Sequence, residues 1–343
     1  MNILLTSLIL LTLLVILLWG NKADKEGKSF FSKDYTRVLK GACCIIVVFV
    51  HVPVEHGNVL QDAVGSFGYV AVTLFFMFSA YGMYLSKQHK ADYMKHFWRN
   101  RLSSLLVPMF LINLAGYLYS IPLGGGILSS LIWINSWVWI LLQFCILFYI
   151  VELGEHYQLW NEKISKFLLV IAVFVSSLYL YLTSVKEQNS NLSGWCFERL
   201  GLIWGLLLLW YFPTIKLWIK PKFWKIVISG IICLVLGVSY LKFKEVFFWG
   251  AYLNKIILGI AIIYLLFMVS CRRKWGNKVS FFLGDISYEV YLSHGFVMSV
   301  VAHHLPSLPS GQFIVTSIVG TIIFSWFIHL IDRPIVKALR SKS

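Results

Sequence analysis

Two histidines in apolar surroundings are the residues of this sequence best suited to chemistry. His51 ends an apolar segment that begins after Lys40, and the steps between them cover about 16 Å in an α-helix, roughly half of a 30 Å hydrocarbon core. His294 lies about 20 Å into a later apolar segment that starts at Phe281. An ionisable group at mid-membrane depth is costly. Each histidine therefore indicates, with about equal weight, an acid–base site or a hydrogen bond to a neighbouring helix.

The segment around His294 carries further polar residues. Ser287, Tyr291 and His294 follow one another at helical spacing and so share one face of the helix, and Tyr288 lies nearer the start of the segment. For Ser287 and Tyr291 a hydrogen bond between helices is the favoured interpretation. The face as a whole is a candidate binding surface.

Arginines at the edges of apolar segments are candidates for binding anions or sugars. Arg99 and Arg101 end a basic tract where a helix begins, and a guanidinium group suits bidentate binding of phosphate. Ordinary positive charge at a membrane boundary explains Arg101 about as well. Glu198 and Arg199 begin another apolar segment, where an ion pair is favoured over contacts to a sugar.

Composition sets the class of protein. Of the 343 residues, 59% are hydrophobic and only 13% are charged, which is typical of an integral membrane protein. The net charge of +15 comes from short basic tracts between apolar segments, so it indicates orientation in a membrane and not binding to nucleic acid. The 6 cysteines form no C-x-x-C pair, so no thiolate metal site is expected.

The apolar segments predict eleven transmembrane helices. They cover residues 3–19, 39–54, 66–85, 102–121, 131–151, 167–185, 196–212, 223–241, 251–270, 281–302 and 313–331. No cleavage site follows the first segment, which predicts an uncleaved anchor. Residues 1–34 are therefore expected to form an anchor and a cytoplasmic link, and residues 35–343 the main bundle.

The distribution of positive charge predicts the orientation of these helices. Of the 30 Lys and Arg residues, only five fall on one side of the membrane: Lys186, Arg199, Lys242, Lys244 and Lys255. The richer side is expected to be cytoplasmic. The fold class is therefore an all-α polytopic bundle with its N-terminus outside and its C-terminus in the cytoplasm.

Several motifs together resemble the membrane acyltransferase-three family. They are Lys40-Gly41 with His51 after ten intervening residues, LFFMFSAYGMYLS from Leu74, Arg101 followed by Pro108, LGDISYEVYLSH ending at His294, and IDRP from Ile331. The resemblance covers roughly residues 35–340. Two positions depart from the family pattern, since Lys40 stands where an arginine is usual and Ala80 where a glycine is usual.

The resemblance implies an acyltransferase of the bacterial plasma membrane. Such enzymes move an acyl group, usually acetyl from acetyl-CoA, to hydroxyl groups of cell-envelope polysaccharides or their lipid-linked precursors. His51 is the expected general base, with Glu55 or His294 as its partner.

The remaining residues of the expected site fall into two groups. The phosphates of acyl-CoA are expected at Lys40, Arg99 and Arg101. Contacts to the acceptor or to the tetrahedral oxyanion are expected from four residues: Ser287, Tyr288, Tyr291 and Arg199. The expected partners are acyl-CoA, the glycan and membrane lipids, and the sequence leaves a homodimer open.

Two other functions are compatible with parts of the pattern. A transporter could relay protons through His51, Glu55 and His294, although such proteins more often contain repeated halves, which this sequence lacks. A metal enzyme could use His51, Glu55 and His56, but their spacing misses the inverted zincin pattern and Pro53 interrupts the helix. No metal is therefore expected.

Overall fold

Helices form almost the whole chain in the computed structural model, which describes residues 2–186 and 195–341. In chain order the elements are α1 (Asn2–Leu18), β1 (Lys22–Ala23), α2 (Lys33–Val50), α3 (Val59–Ser66), α4 (Tyr69–His89), α5 (Phe97–Ser120), α6 (Ser136–His156), α7 (Glu162–Lys186), α8 (Leu200–Trp210), α9 (Phe212–Trp218), α10 (Phe223–Phe243), α11 (Lys255–Ser270), β2 (Arg273–Lys274), α12 (Lys278–Asp285), α13 (Ser287–His304) and α14 (Ser310–Ser341). Short 3-10 turns cover Val54–His56, Ile121–Leu123 and Leu128–Ile132, and a π-helical turn, Trp249–Asn254, precedes α11.

The helices are long and apolar enough for a membrane protein. Within the described ranges, seven helical stretches could cross a bilayer, or eight if α8 and α9 are one bent span. The seven are Val59–His89, Phe97–Leu123, Ser136–His156, Glu162–Lys186, Phe223–Phe243, Trp249–Ser270 and Ser310–Ser341. The predicted all-α membrane bundle is thereby confirmed. Each of the eleven apolar segments contains a helix, while their number as complete spans and their orientation stay predictions.

Helix α2 occupies the centre of the bundle. The Ser32 hydroxyl accepts a hydrogen bond from the Tyr35 N–H at 3.3 Å and caps the start of the helix. Both apolar and small residues of α2 are buried, and the helix packs against α3, α4, α12, α13 and α14. It ends at His51, two residues before Pro53, which lacks the N–H that a further helical turn would need. The sequence therefore places an imidazole at the terminus of a largely buried helix.

The segment predicted as one helix over residues 281–302 is broken in the structure. Helix α12 begins at a capping box in which Asn277 and Ser280 exchange hydrogen bonds, and it ends before Ile286, where α13 begins. A Cβ atom on Gly284 would lie 2.2 Å from the carbonyl oxygen of Arg37. Because glycine permits this close contact, α12 lies directly against α2 and brings α13 alongside it.

The link between α1 and α2 is tied to the loop before α12. Strand β1 pairs antiparallel with β2, with Lys22 opposite Lys274. In the same link the backbone N–H and the hydroxyl of Ser29 donate to the Asp24 carboxylate, and these hydrogen bonds lower the pKa of Asp24 to about 2. The pairing joins two loops that the charge distribution assigns to the same side of the membrane.

Helices α8 and α9 meet at a bend of 96° at Tyr211. Pro213 lies in the first turn of α9, where a missing N–H costs nothing. The predicted span over residues 196–212 is therefore a shorter helix followed by a turned segment. On its buried face, α8 packs closely along α4.

Candidate functional site

Two histidine side chains from different helices meet inside the bundle. The ring centroids of His51, at the end of α2, and His294, in α13, are 4.6 Å apart. His294 is buried, whereas His51 is open to a cavity. The structure thus brings together the two histidines that the sequence placed at overlapping depths.

Hydrogen bonds to the backbone define which nitrogen of each ring can act as a base. The Nδ1 atom of His51 lies 3.0 Å from the carbonyl oxygen of Val47, and Nδ1 of His294 lies 3.3 Å from that of Val290. A carbonyl oxygen only accepts hydrogen bonds, so Nδ1 is the donor in each contact. Nε2 is therefore the nitrogen of each ring that is left to exchange a proton with a ligand.

A cavity of about 890 Å³, here called the histidine cavity, opens at this pair. Besides the two histidines it is lined by neutral polar and aromatic side chains, among them Asn113, Ser130, Asn135, Trp133, Trp195 and Tyr291. Asn113 also donates to the carbonyl oxygens of Leu131 and Trp133, which fixes the wall of the cavity. Hydroxyl, amide and aromatic groups of this kind suit a polyhydroxylated ligand.

A second cavity, of about 700 Å³, lies on the side of the basic loops and is called the basic cavity. Five cationic side chains line it: Lys40, Arg101, Arg333, Lys337 and Arg340. Arg101 donates to the Tyr93 hydroxyl at 2.8 Å, which orients its guanidinium group. Three carboxylates, of Asp285, Glu289 and Asp332, also line it, but the cations outnumber them, and an excess of positive charge in a cavity of ligand size fits a phosphorylated molecule.

Tyr291 lines both cavities. Its ring lies 4.7 Å from that of Trp137 and 5.9 Å from that of His294. One side chain therefore separates a cavity suited to anions from a cavity that contains the histidine pair. A flexible molecule held in the basic cavity could present a reactive end to the imidazoles at this point.

Two other predicted residues of α13 lie in the basic cavity but already have partners. Tyr288 donates to the carbonyl oxygen of Leu105 at 2.7 Å, and the Ser287 hydroxyl donates to that of Gly284 at 2.9 Å. Their hydroxyl hydrogens are therefore engaged with the backbone. Tyr291 is the better placed of the α13 hydroxyl groups to contact a ligand from either cavity.

Three predicted residues lie away from both cavities. Glu55 is exposed in a 3-10 turn, and Arg99 lines neither cavity. Arg199 is buried beside a small separate cavity and donates to Trp195 O at 3.0 Å and to Ser176 Oγ at 3.1 Å. Their proposed roles in catalysis and binding gain no support from these positions.

The sequence interpretation missed a buried acid–histidine cluster in the wall of the basic cavity. Nδ1 of His329 lies 2.7 Å from Oε1 of Glu289 and 3.9 Å from Oδ1 of Asp332. Ligand atoms of the three residues lie within 4.8 Å of one another, as a metal site would need. The spacing of His329 and Asp332, one helical turn apart, was a visible signal, whereas their meeting with Glu289 depends on tertiary packing.

The alternative metal group of His51, Glu55 and His56 is not formed. In the part of the chain that the structure describes, the three do not meet as potential ligands. His56 is buried and stacks on Phe313, with the ring centroids 4.0 Å apart. His56 is therefore a packing residue.

A multi-pass helical bundle that contains a histidine pair and a cavity lined by cationic side chains defines the class as an integral membrane protein. The chain belongs to the acyltransferase-3 family, because the model of that family, described as an acyltransferase domain, matches residues 33–330. Comparison with curated proteins and with solved structures finds no match. The resemblance seen in the sequence motifs is confirmed, and the protein is a membrane acyltransferase.

Proposed function

We propose that this protein transfers an acyl group, most simply acetyl, from cytoplasmic acetyl-CoA to a hydroxyl group of a cell-envelope polysaccharide or its lipid-linked precursor. The observation that carries the proposal is that Tyr291 lines both cavities, next to the His51–His294 pair. Donor and acceptor lie in different compartments, so a site reached from both sides meets the main requirement of the reaction.

The basic cavity is the site proposed for the donor. Coenzyme A carries three phosphate groups, which Lys40, Arg101 and Arg340 would bind by charge-assisted hydrogen bonds. Because a lysine lacks the planar fork of an arginine, Lys40 acts as a point charge in this arrangement. The thioester end of the flexible pantetheine arm would then lie at Tyr291.

His51 is the proposed general base. A sugar hydroxyl is a weak nucleophile at neutral pH, and Nε2 of His51 would take its proton as the oxygen attacks the thioester carbonyl. The tetrahedral intermediate collapses with loss of the CoA thiolate, which recovers the proton. The Tyr291 hydroxyl is the proposed donor to the oxyanion. The ring of His294 lies beside that of His51, and His294 is proposed to orient the acceptor.

The test uses a strain from which the gene is deleted. The strain is complemented with the wild-type gene, with His51→Ala or with His303→Ala, and the three are compared. We expect His51→Ala to lower ester-linked acetyl on envelope polysaccharide by about 10²- to 10⁴-fold at matched membrane levels, as loss of a general base does. His303 is exposed near the end of α13, so its replacement is the matched control and should leave acetylation unchanged. Normal acetylation with His51→Ala would refute the proposal.

The transporter alternative needs a relay from Glu55 to the two histidines. Glu55 is exposed and lines neither cavity, so the geometry gives that relay no support. A transporter would also remain active without acyl-CoA. Solute or proton flux in vesicles that is independent of acetyl-CoA and lost in His51→Ala would favour it.

A further inference from the structure

A third cavity adjoins the histidine cavity and is called the side pocket. Its volume is about 340 Å³, and its lining includes Glu198, Lys255, Tyr69 and Tyr240. His51 and Trp195 line both the side pocket and the histidine cavity. A molecule that reacts at His51 can therefore extend into the side pocket.

Glu198, which lines this pocket, has an unsatisfied polar atom. Its side chain is 8% exposed, and Oε2 has no hydrogen-bond partner among the residues that the structure describes. A buried carboxylate oxygen without a donor is costly, because the water it loses on burial is not replaced. Such an atom is a candidate acceptor for a donor that a bound molecule supplies.

Lys255 brings the opposite charge to the same pocket without forming an ion pair with Glu198. Its Nζ lies 3.9 Å from the ring centroid of Phe197 and 4.9 Å from that of Tyr69, so aromatic faces hold the ammonium group. Within the described residues, no carboxylate oxygen lies within 4.0 Å of this ammonium. Acceptor and donor thus face one pocket with a gap between them.

The two charges restrict the chemistry of a ligand that could bridge this gap. A cation would be attracted by Glu198 but repelled by Lys255, and an anion the reverse, so a single charge is not favoured by both residues. A hydroxyl group satisfies both residues, because it donates to the carboxylate and accepts from the ammonium. The rings of Tyr69, Tyr240 and Trp195 add apolar faces of the kind on which a sugar ring packs.

We propose that the side pocket is a recognition subsite for a second hydroxyl group of a neutral sugar acceptor, bound between Glu198 and Lys255. The proposal rests on the acyl transfer proposed above and adds the acceptor class: an uncharged sugar unit with a hydroxyl close to the acylated one. Glu198 and Lys255 act in acceptor binding, whereas His51 carries the chemistry.

The experiment uses full-length protein in membranes, radiolabelled acetyl-CoA, and the strain's own envelope polysaccharide freed of esters by mild alkali. We expect Glu198→Gln and Lys255→Met each to raise the KM for polysaccharide about tenfold or more. Each change removes one of the two groups that bind the acceptor hydroxyl, which leaves that hydroxyl with an unpaired donor or acceptor. The KM for acetyl-CoA should stay unchanged, because the basic cavity is not altered. The exposed residue Glu245 supplies the control Glu245→Gln, which should behave as the wild type.

The double variant distinguishes a role in acceptor binding from a purely structural role. Glu198→Gln with Lys255→Met removes both charges, so its thermal unfolding temperature should match the wild type more closely than either single variant does, while its KM for polysaccharide stays high. A wild-type KM for polysaccharide in all three variants, with label lost in His51→Ala, overturns the subsite and leaves acyl transfer standing. No label with the wild-type protein overturns both.

Discussion

At the scale of single residues, the buried cluster of Glu289, His329 and Asp332 is a source of stability. The imidazole lies between two carboxylates that are both nearly fully buried, 2.7 Å from Glu289 and 3.9 Å from Asp332. Ligand atoms of the two carboxylates lie within 4.8 Å of each other, and two carboxylates this close cannot both stay ionised without a partner. His329 therefore compensates charge that the protein interior would not otherwise tolerate.

Replacing His329 by leucine should destabilise the protein by about 3–5 kcal/mol, because it leaves buried charge without compensation. Thermal unfolding of the purified protein in detergent measures the effect. Adding Glu289→Gln to His329→Leu removes one of the facing charges and should restore part of the loss. Equal stability of His329→Leu and the wild type would show that the cluster does not need the imidazole.

At the scale of helices, the packing of α8 against α4 depends on two glycines. A Cβ atom on Gly201 would lie 2.1 Å from the carbonyl oxygen of Thr73, and one on Gly205 would lie 2.3 Å from that of Met77. Backbone atoms cannot move aside as a flexible side chain can. Small residues at this spacing let helix backbones approach closely, as in many membrane proteins.

Gly201→Leu should therefore separate α8 from α4 and destabilise the fold by about 1–3 kcal/mol or more. Gly230→Leu is the matched control, because a Cβ atom at Gly230 in α10 meets nothing within 4 Å. The yield of monodisperse protein and its thermal unfolding temperature report the difference. If both variants lose the same stability, the cause is the leucine itself and not the close approach of the helices.

At the scale of helices, the meeting of the two histidines could be predicted from the sequence, whereas other parts of the site could not. Rise per residue is fixed in a helix, so counting from Lys40 and from Phe281 placed His51 and His294 at similar depths, and the structure brings their rings to 4.6 Å. The break at Ile286 was not predicted, because an apolar run does not show where a helix ends. His329, which pairs with Glu289, and Lys255, which shares a pocket with Glu198, lie far from them in the chain, so only tertiary packing reveals these arrangements.

At the scale of the whole molecule, the positions of exposed residues allow the predicted orientation to be tested. Glu55 follows α2 and Lys90 follows α4, and both are exposed. The charge distribution places them on opposite sides of the membrane. The pairing of β1 with β2 joins two loops assigned to the same side, and the hydrogen bond from Arg340 to the carbonyl oxygen of Asn100 joins two helix ends assigned to that side.

In intact cells, a membrane-impermeant maleimide should label Glu55→Cys but not Lys90→Cys until the membrane is permeabilised. Five of the native cysteines are buried and Cys233 is partly exposed, so unmodified protein gives the background labelling. Labelling of Lys90→Cys alone in intact cells would reverse the orientation and, with it, the compartments assigned to the two cavities.

The shared position of Tyr291 has a further consequence for the cell. In the predicted orientation the two cavities enter the bundle from opposite faces, and a continuous water path between them would dissipate the membrane potential. Tyr291 lines both cavities and packs on Trp137, so these rings would form the insulating boundary between the two solutions. In the proposed reaction the acyl group would pass this boundary while ions do not, which would limit how far the Tyr291 side chain can move during turnover.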